Sequence, residues 1–367
     1  MGNFSDADRA HMTRALELAR RGLYTTSPNP RVGCVVVNDG AVIGEGFHRR
    51  AGEPHAEVEA LGQARAHGRE AKGATVYVTL EPCNHIGRTP PCVDALLEAG
   101  VSRVVAAMSD PNPEAARGAE RLCASGVAVE CGLLENEARE LNVGFVSRMT
   151  RGVPWVRVKI ATSIDGRTAL ASGESQWITG PVARADGHAW RARACAVLTG
   201  VGTVLNDDPQ LTVRDVETTR QPMRVVVDRN ADTPPTARVL AEGDVLIVTA
   251  GARSDKWPIH VKTVALPDEA GRIDLPSMMR WLAERGVNEL HVEAGSRLNG
   301  ALLAAGLVDE LLLYVAPTVI GDPARGVFEL AAPLASLVQR VPLEWHDVTR
   351  LGGDLRVIAR VVREGTR

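Results

Sequence analysis

One histidine and two cysteines between residues 55 and 92 constrain the fold of this chain more than any other feature. His55 lies in Pro54-His55-Ala56-Glu57, Cys83 follows an apolar strand-like run, and Cys92 follows two prolines. One imidazole and two thiolates can hold zinc tetrahedrally and leave a fourth position for water, as catalytic zinc sites do. The pattern therefore predicts a fold that brings a strand end and two helix starts together around zinc.

Glu57 is the predicted proton carrier of this site. Zinc lowers the pKa of a bound water to about 7, and hydrolytic deamination then needs a group that moves protons to the ring nitrogen and the departing amine. Glu57 follows His55 by two residues, which matches the zinc-deaminase signature in which the glutamate is not a ligand. The start of a helix at Cys92 is expected to favour the Cys92 thiolate.

The separate pieces of this pattern are weak, and their combination is restrictive. A lone His-Ala-Glu is usually part of a surface helix, and two cysteines nine positions apart can be buried thiols. A structural zinc site, or no metal, is the alternative. Paired cysteines in a cytosolic chain of this size are more often metal ligands than disulfides. The remaining cysteines are expected to be inert core residues: Cys34, Cys123, Cys131 and Cys195.

Alternating helical and strand-like segments predict layered α/β structure. The length of 367 residues favours two domains. Gly152, Val153 and Pro154 interrupt the pattern after a helical stretch over 133–150. The predicted domains are residues 1–150 and 151–367.

Charge and hydropathy restrict the partners of the chain. The 42 basic and 45 acidic residues give a net charge of −3, without the basic stripe that nucleic-acid binding requires. The first 22 residues are charged throughout and lack the apolar core of a secretory signal. No apolar run is long enough to span a bilayer. We expect a cytoplasmic homo-oligomer that acts on small molecules and binds neither nucleic acid nor membrane.

The second half contains no G-x-G-x-x-G after a strand, so a Rossmann nucleotide site is unsupported. Two glycine-containing segments that follow strands, 199–203 and 291–296, are candidate anion sites. Glycines at a helix start let backbone N–H groups approach a phosphate. Each segment alone is more often a tight structural turn.

Several motifs together resemble the bifunctional riboflavin-biosynthesis deaminase/reductases of bacteria. They are Thr26-Ser27-Pro28-Asn29-Pro30, His55-Ala56-Glu57, Glu81-Pro82-Cys83 through Cys92, and Asp110-Pro111-Asn112-Pro113. The resemblance implies a cytidine-deaminase-like α/β/α first domain that removes the 2-amino group of 2,5-diamino-6-(5-phosphoribosylamino)pyrimidin-4(3H)-one. It also implies a substrate pocket lined by Asn29, His48, His85, Arg88 and Asn112.

The same resemblance extends over the second half, through 159–166, 175–179 and 207–209. It implies a dihydrofolate-reductase-like α/β domain that uses NADPH to reduce the ribosyl group to ribityl. The implied substrate contacts are Ser175, Arg191, Leu211, Arg214 and Glu293. The implied NADPH contacts are Ala161, Trp177, Thr203, Asp207 and Gly295. Arg191 and Arg214 suit a phosphate because guanidinium binds phosphate bidentately.

Two rival functions are weighed against this one. A nucleic-acid or nucleoside deaminase with a C-terminal domain that is not a reductase would share the zinc motif, and tight salt-sensitive binding of tRNA or single-stranded DNA would favour it. A non-catalytic zinc module would keep its metal and have no activity that depends on Glu57.

Overall fold

The computed structural model describes residues 4–87, 90–251 and 255–363. The chain divides into two compact units, Met1–Gly152 and Val153–Arg367. The division falls in the Gly/Pro segment that ends the predicted first domain. Among the described residues, no helix combines the length and the apolar character that crossing a membrane requires.

The first unit is a mixed sheet with helices packed against it. The described strands have the order β2-β1-β3-β4-β5, in which β3, β4 and β5 are parallel and β1 is antiparallel to both β2 and β3. Its elements are α1 (Asp6–Arg20), β1 (Gly33–Asn38), β2 (Ala41–Phe47), α2 (Ala56–Ala66), β3 (Thr75–Val78), α3 (Cys92–Glu98), β4 (Arg103–Ala106), α4 (Gly118–Ala124), β5 (Ala128–Cys131), α5 (Glu135–Leu141) and α6 (Val143–Arg151).

Local sequence explains how these elements begin and turn. Ser5 caps α1 reciprocally with Asp8, since the Ser5 hydroxyl accepts from the Asp8 N–H and the Asp8 carboxylate accepts from the Ser5 N–H. Asp39 and Gly40 have φ of 47° and 75°, the left-handed conformation of a two-residue hairpin turn. This confirms the hairpin predicted from the Asp-Gly pair.

The helix predicted over 133–150 is two helices, α5 and α6, separated at Asn142. The buried Asn142 side chain accepts from the Arg31 N–H at 2.8 Å and donates to the Arg31 carbonyl at 2.9 Å. The Asn142 side chain forms hydrogen bonds with the backbone of a residue far away in the chain, and these bonds fix the break between the two helices. Helical periodicity could not show that Arg31 is the partner.

The second unit is built on a larger sheet. Its described strands have the order β11-β10-β9-β8-β12-β6-β13-β16-β15, and β7 pairs separately with β14. The elements are β6 (Trp155–Ser163), β7 (Arg167–Ala169), α7 (Pro181–Arg193), β8 (Ala196–Gly200), α8 (Val201–Asp207), β9 (Met223–Val227), β10 (Val245–Thr249), β11 (Val261–Ala265), α9 (Leu275–Glu284), β12 (Glu289–Val292), α10 (Ser296–Ala304), β13 (Glu310–Ala316), β14 (Arg325–Gly326), β15 (Leu343–Leu351) and β16 (Asp354–Val361).

The centre of this sheet combines aliphatic side chains with a buried ion pair network. Val, Ile and Leu from β6, β8, β12 and β13 form the core, as expected for parallel strands covered on both faces. Arg157 is 1% exposed and binds Glu289 and Glu310 of the neighbouring strands. Each charge is paired, which is the condition under which charges are buried.

The prediction that the four remaining cysteines are core residues is only partly correct. Cys34 is buried in β1, and Cys195 is partly buried. Cys123 and Cys131 are exposed. Cys123 lies on α4 and Cys131 at the end of β5, the outermost strand, where an apolar residue type is tolerated without burial.

Candidate active sites

The predicted metal ligands lie in the loop after β3 and at the starts of α2 and α3. β3 ends at Val78, and the chain continues into the loop that carries Cys83. His55 is the N-cap residue of α2, and Cys92 is the first residue of α3, directly after Pro91. Proline is tolerated there because the first helical N–H groups have no partner within the helix.

The ligand atoms are spaced as a tetrahedral zinc site requires. His55 Nδ1 lies 3.2 Å from Cys92 Sγ and 3.5 Å from Cys83 Sγ, and the three ligand atoms all lie within 4.8 Å of one another. Zinc–sulfur and zinc–nitrogen bonds of about 2.3 and 2.1 Å at tetrahedral angles place N and S about 3.6 Å apart. The donor set and its spacing therefore fit zinc.

The expectation that the helix start favours the Cys92 thiolate stays a prediction. The hydrogen bond from the Cys92 side chain, with His55 and the Cys92 N–H, lowers the pKa of Cys83 to about 4. The Cys83 sulfur and burial raise the pKa of Cys92. The Cys92 N–H donates to Cys83 Sγ at 3.4 Å, so the amide at the start of α3 stabilises charge on the other cysteine.

Glu57 lies in the first turn of α2 and is only 3% exposed. Burial and the nearby Cys83 raise the pKa of Glu57 to about 7. A carboxyl group with such a pKa exchanges protons readily at neutral pH, as a general acid–base residue must. Glu57 is the second residue of α2, directly after the N-cap residue His55 and Ala56, and it therefore lies beside the ligands.

A cavity of about 360 Å³ is lined by Glu57 and by two of the ligands, His55 and Cys83, and it brings together four of the predicted pocket residues: Asn29, His48, His85 and Asn112. His48 Nδ1 donates to the Pro54 carbonyl, so Nε2 accepts from the Asn29 amide at 3.0 Å. Burial lowers the pKa of His48, which keeps this ring neutral. The fifth predicted residue, Arg88, lies outside the described residues.

Sequence reasoning missed Glu81 as a residue that shapes this cavity. Its carboxylate accepts from the N–H groups of Asp110 and Ala119. It therefore holds the loop that carries Asn112 beside the metal ligands. The Glu-Pro-Cys motif contained the residue, but only the tertiary fold shows which backbone amides it binds.

Sequence reasoning also missed three cavity residues of α6: Phe145, Arg148 and Met149. All three line the cavity from α6. They have the spacing of one helix face, a signal that the sequence did contain. The distance in sequence between α6 and the ligands concealed their common site.

In the second unit, the structure brings four predicted substrate residues into one group. Arg191 of α7 binds both Glu293 carboxylate oxygens, with Nη2 to Oε2 at 2.8 Å, and Arg191 Nη1 donates to the Thr212 carbonyl. Leu211 directly precedes Thr212, and Arg214, two residues further on, donates from Nη1 to the Thr212 hydroxyl at 3.2 Å. Ser175 lies in the loop before α7 and, among the described residues, makes no hydrogen bond to this group.

Burial opposes the charge of Glu293, yet Arg191 holds the pKa of Glu293 well below its usual range. His188, which the sequence did not single out, is also part of this group. The Arg214 N–H lies 3.4 Å from His188 Nδ1. The residues therefore form one hydrogen-bonded group, in which Arg191 is paired with Glu293 and Arg214 bonds to Thr212.

Two of the predicted cofactor residues, Thr203 and Gly295, lie at strand-to-helix junctions. A Cβ added at Gly295, the N-cap of α10, would meet Thr203 Oγ1 of α8 at 3.9 Å. The indole of Trp177 is 70% exposed and lies 4.6 Å from the Arg184 guanidinium. Asp207 ends α8, and Ala161 lies on β6. A glycine at a helix start leaves room for a phosphate to approach the backbone N–H groups there.

These sites define a class of protein: a deaminase of the zinc-dependent α/β type joined to an α/β reductase. The model of the cytidine and deoxycytidylate deaminase zinc-binding region matches residues 5–108. The model of the RibD C-terminal domain matches residues 154–357.

Relatives match both halves in a single chain. The riboflavin biosynthesis protein RibD of Escherichia coli is 49% identical over 95% of this chain and 98% of its own. The RibD protein of Haemophilus influenzae is 45% identical over 97% of this chain and 98% of its own. The structure of Acinetobacter baumannii RibD, at 44% identity, aligns with a TM-score of 0.90 over 97% of this chain and 99% of its own.

The chain belongs to the RibD family of riboflavin biosynthesis proteins. A Thermotoga maritima structure described as a diaminohydroxyphosphoribosylaminopyrimidine deaminase/5-amino-6-(5-phosphoribosylamino)uracil reductase is 36% identical, with a TM-score of 0.89 over 97% of this chain and 99% of its own. The protein is thus a bifunctional enzyme, a deaminase and a reductase that use zinc and NADPH. The rival nucleic-acid deaminase is not favoured, because the second half is a reductase domain.

Proposed function

We propose that residues 1–150 deaminate 2,5-diamino-6-(5-phosphoribosylamino)pyrimidin-4(3H)-one and that residues 151–367 reduce the ribosyl group of the product to ribityl. The order follows from the chemistry that the resemblance implies. The observation that carries the proposal is the convergence of His55, Cys83 and Cys92 beside buried Glu57 at one end of a cavity.

In the first unit, the chain positions a polar pyrimidine and moves protons. Zinc held by His55, Cys83 and Cys92 would supply an activated water as the nucleophile. Glu57 would take one proton from the attacking water and pass it to the ring nitrogen, and would then take the second proton from the hydroxyl added to the ring carbon and pass it to the amine, which leaves as ammonia. Neutral His48 donates to the Pro54 carbonyl and accepts from the Asn29 amide, and it thereby orients Asn29, whose amide oxygen and second N–H would bind the pyrimidine. His85 and Asn112 complete the polar lining.

In the second unit, the chain orients substrate against cofactor, which supplies the hydride. Arg191 and Arg214 bind the phosphate of the substrate, with Ser175 and the backbone at Leu211 beside them. Glu293, fixed by Arg191, accepts from sugar hydroxyls. Ala161, Trp177, Thr203, Asp207 and Gly295 hold NADPH at the junctions where β8 and β12 lead into helices.

A coupled assay with Glu57→Gln tests the deaminase half. The purified chain with zinc, NADPH and the diaminopyrimidine should release ammonia and oxidise NADPH. We expect the variant to retain zinc and to lose ammonia release by about 10²- to 10⁴-fold, because the amide cannot carry protons. Metal content and ammonia are measured on the same preparation.

The deaminated substrate supplied directly is the matched control for this variant. It should be reduced at the wild-type rate, since Glu57 lies in the other unit. Unchanged ammonia release by Glu57→Gln would refute the proton-carrier role.

We also propose that the protein is a homo-oligomer that assembles through the edge of the second sheet. β15 is the outermost strand, and the segment around it exposes Leu337 (80%), Val338 (87%), Trp345 (77%) and Val348 (59%). Monomeric proteins seldom leave apolar residues grouped in this way. A second copy of the chain would cover them.

The oligomer is tested by light scattering with Trp345→Glu. Wild-type protein should have at least twice the mass of the chain, and the variant should shift towards the monomer because a buried charge destabilises an apolar interface. Ile259→Glu is the matched control, since Ile259 is fully exposed and lies outside this segment. A monomeric wild-type protein would contradict the proposal.

We further propose a cytoplasmic location. The cysteines are free thiols, and two of them are proposed zinc ligands. A reducing compartment keeps cysteines free or bound to metal rather than joined in disulfides.

A further inference from the structure

The charge distribution of the deaminase cavity raises the question of how it binds a phosphorylated substrate. Three carboxylate side chains line it, those of Glu57, Glu81 and Asp110. Among its described lining residues, Arg148 alone carries a permanent positive charge. A phosphate dianion entering such a cavity needs a cation near it to offset the repulsion.

Arg148 lies on α6, outside the zinc-binding region that deaminases share. The zinc-binding region that the deaminase model matches ends at residue 108, whereas α6 begins at Val143. Phe145, Arg148 and Met149 turn one face of this helix to the cavity. Part of the cavity lining therefore comes from a segment of the chain that the matched deaminase region does not include.

The start of α6 is fixed against another wall of the same cavity. Asn142 exchanges two hydrogen bonds with the backbone of Arg31, and Arg31 Nη1 donates to the Leu141 carbonyl at 2.8 Å. Arg31 lies between Pro30 and Val32, which both line the cavity. The buried Phe145 ring, 6.0 Å from the Arg148 guanidinium, supports that side chain. The helix that carries Arg148 is therefore anchored to the segment that forms another part of the cavity lining.

We propose that Arg148 binds the phosphate of the deaminase substrate and so selects phosphorylated ribosylaminopyrimidines over unphosphorylated ones. This proposal rests on the proposed deaminase function. Guanidinium offers two parallel N–H donors to a phosphate. The pyrimidine then occupies the end of the cavity beside Glu57, and the sugar phosphate extends to α6.

The experiment measures kcat/KM for ammonia release from the diaminopyrimidine substrate and from the same compound without its phosphate. In Arg148→Met, the preference for the phosphorylated compound should fall by about 10- to 100-fold, because charge-assisted hydrogen bonds to the phosphate are lost. Most of this change should be in KM. Arg148→Lys keeps the positive charge but cannot bind the phosphate bidentately, so it should lose part of the preference for the phosphorylated compound. Inorganic phosphate should also inhibit the wild type more strongly than Arg148→Met.

Arg151→Met is the matched control. Arg151 lies on the same helix, bonds to Ser147 Oγ and does not line the cavity, so this variant should keep the wild-type preference. A preference unchanged in Arg148→Met and lost in Arg88→Met would overturn the proposal, as would an equal loss with both compounds. Failure of wild-type enzyme to deaminate either compound would instead refute the proposed function.

Discussion

At the scale of single residues, Asp8 shows how one carboxylate links several parts of the first unit. Its side chain is 7% exposed and accepts from the Tyr77 hydroxyl at 2.7 Å, from Arg103 Nη1 at 2.6 Å and from the Ser5 N–H at 2.9 Å. The Arg103 guanidinium holds the pKa of Asp8 well below its usual range. The charged form is therefore the one that the folded state stabilises.

Acid should remove this contribution. Because the folded pKa is lowered, the stabilisation is fully present above the unfolded value of about 3.9 and is lost as pH falls below it. We expect Asp8→Asn to lower the free energy of unfolding by roughly 2 kcal/mol at pH 7, since Arg103 keeps some solvent contact. Urea unfolding at pH 7, 5 and 3.5 should show this difference shrinking at the lowest pH.

Tyr77→Phe is the control for that titration. It removes one hydrogen bond and should cost about 1 kcal/mol, with little change between pH 5 and 7. A difference between Asp8→Asn and wild type that does not shrink under acid would contradict the role of the charge.

At the scale of elements, two glycines let the helix that carries His55 and Glu57 lie against the sheet. A Cβ added at Gly46 of β2 would stand 2.5 Å from the Ala56 carbonyl oxygen, and one at Gly44 would stand 2.1 Å from the Ala60 carbonyl oxygen. Both oxygens belong to the backbone of α2, which cannot turn aside as a side chain can. The contact between β2 and α2 therefore depends on the absence of these side chains.

Gly46→Ala should displace the start of α2. We expect a loss of about 1–3 kcal/mol of stability from overpacking and weaker zinc binding, measured by thermal unfolding and by competition with a chelator. Gly62→Ala is the control on the same helix, where an added Cβ has nothing within 4 Å. It should stabilise the helix by up to about 1 kcal/mol. Equal behaviour of the two variants would show that this close approach is unimportant.

At the scale of the whole molecule, each unit has its own core. One buried cluster lies within residues 12–145, and the main cluster of the second unit lies within 156–311. The proposed deaminase residues all belong to the first unit and the proposed reductase residues to the second. Separate cores allow one site to be damaged without unfolding the other.

Asp207→Ala should therefore impair NADPH oxidation and spare deamination. Loss of a charged hydrogen-bonding group at the cofactor should reduce the reductase kcat/KM by about 10- to 100-fold, followed by NADPH absorbance with the deaminated substrate. Ammonia release is measured in parallel as the internal control. Loss of both activities in a folded variant would show that the sites are not independent.

The sequence determined the elements and the chemistry of the first site. Hairpin, caps and strand–helix alternation depend on residues close together in the chain, and so does the spacing of His55, Glu57, Cys83 and Cys92. The resemblance supplied the pocket and reductase residues, whose roles stay predictions. These features were accessible because local backbone preferences and ligand types leave a signature in sequence.

Only the tertiary structure decided which distant residues share a site. It placed Arg148 in the cavity of Glu57, joined Arg191 to Glu293 and broke the predicted helix at Asn142 through Arg31. It also directed the Cys92 N–H at the start of α3 to Cys83 Sγ. Contacts between residues far apart in the chain depend on how packed elements meet, and no local pattern records that.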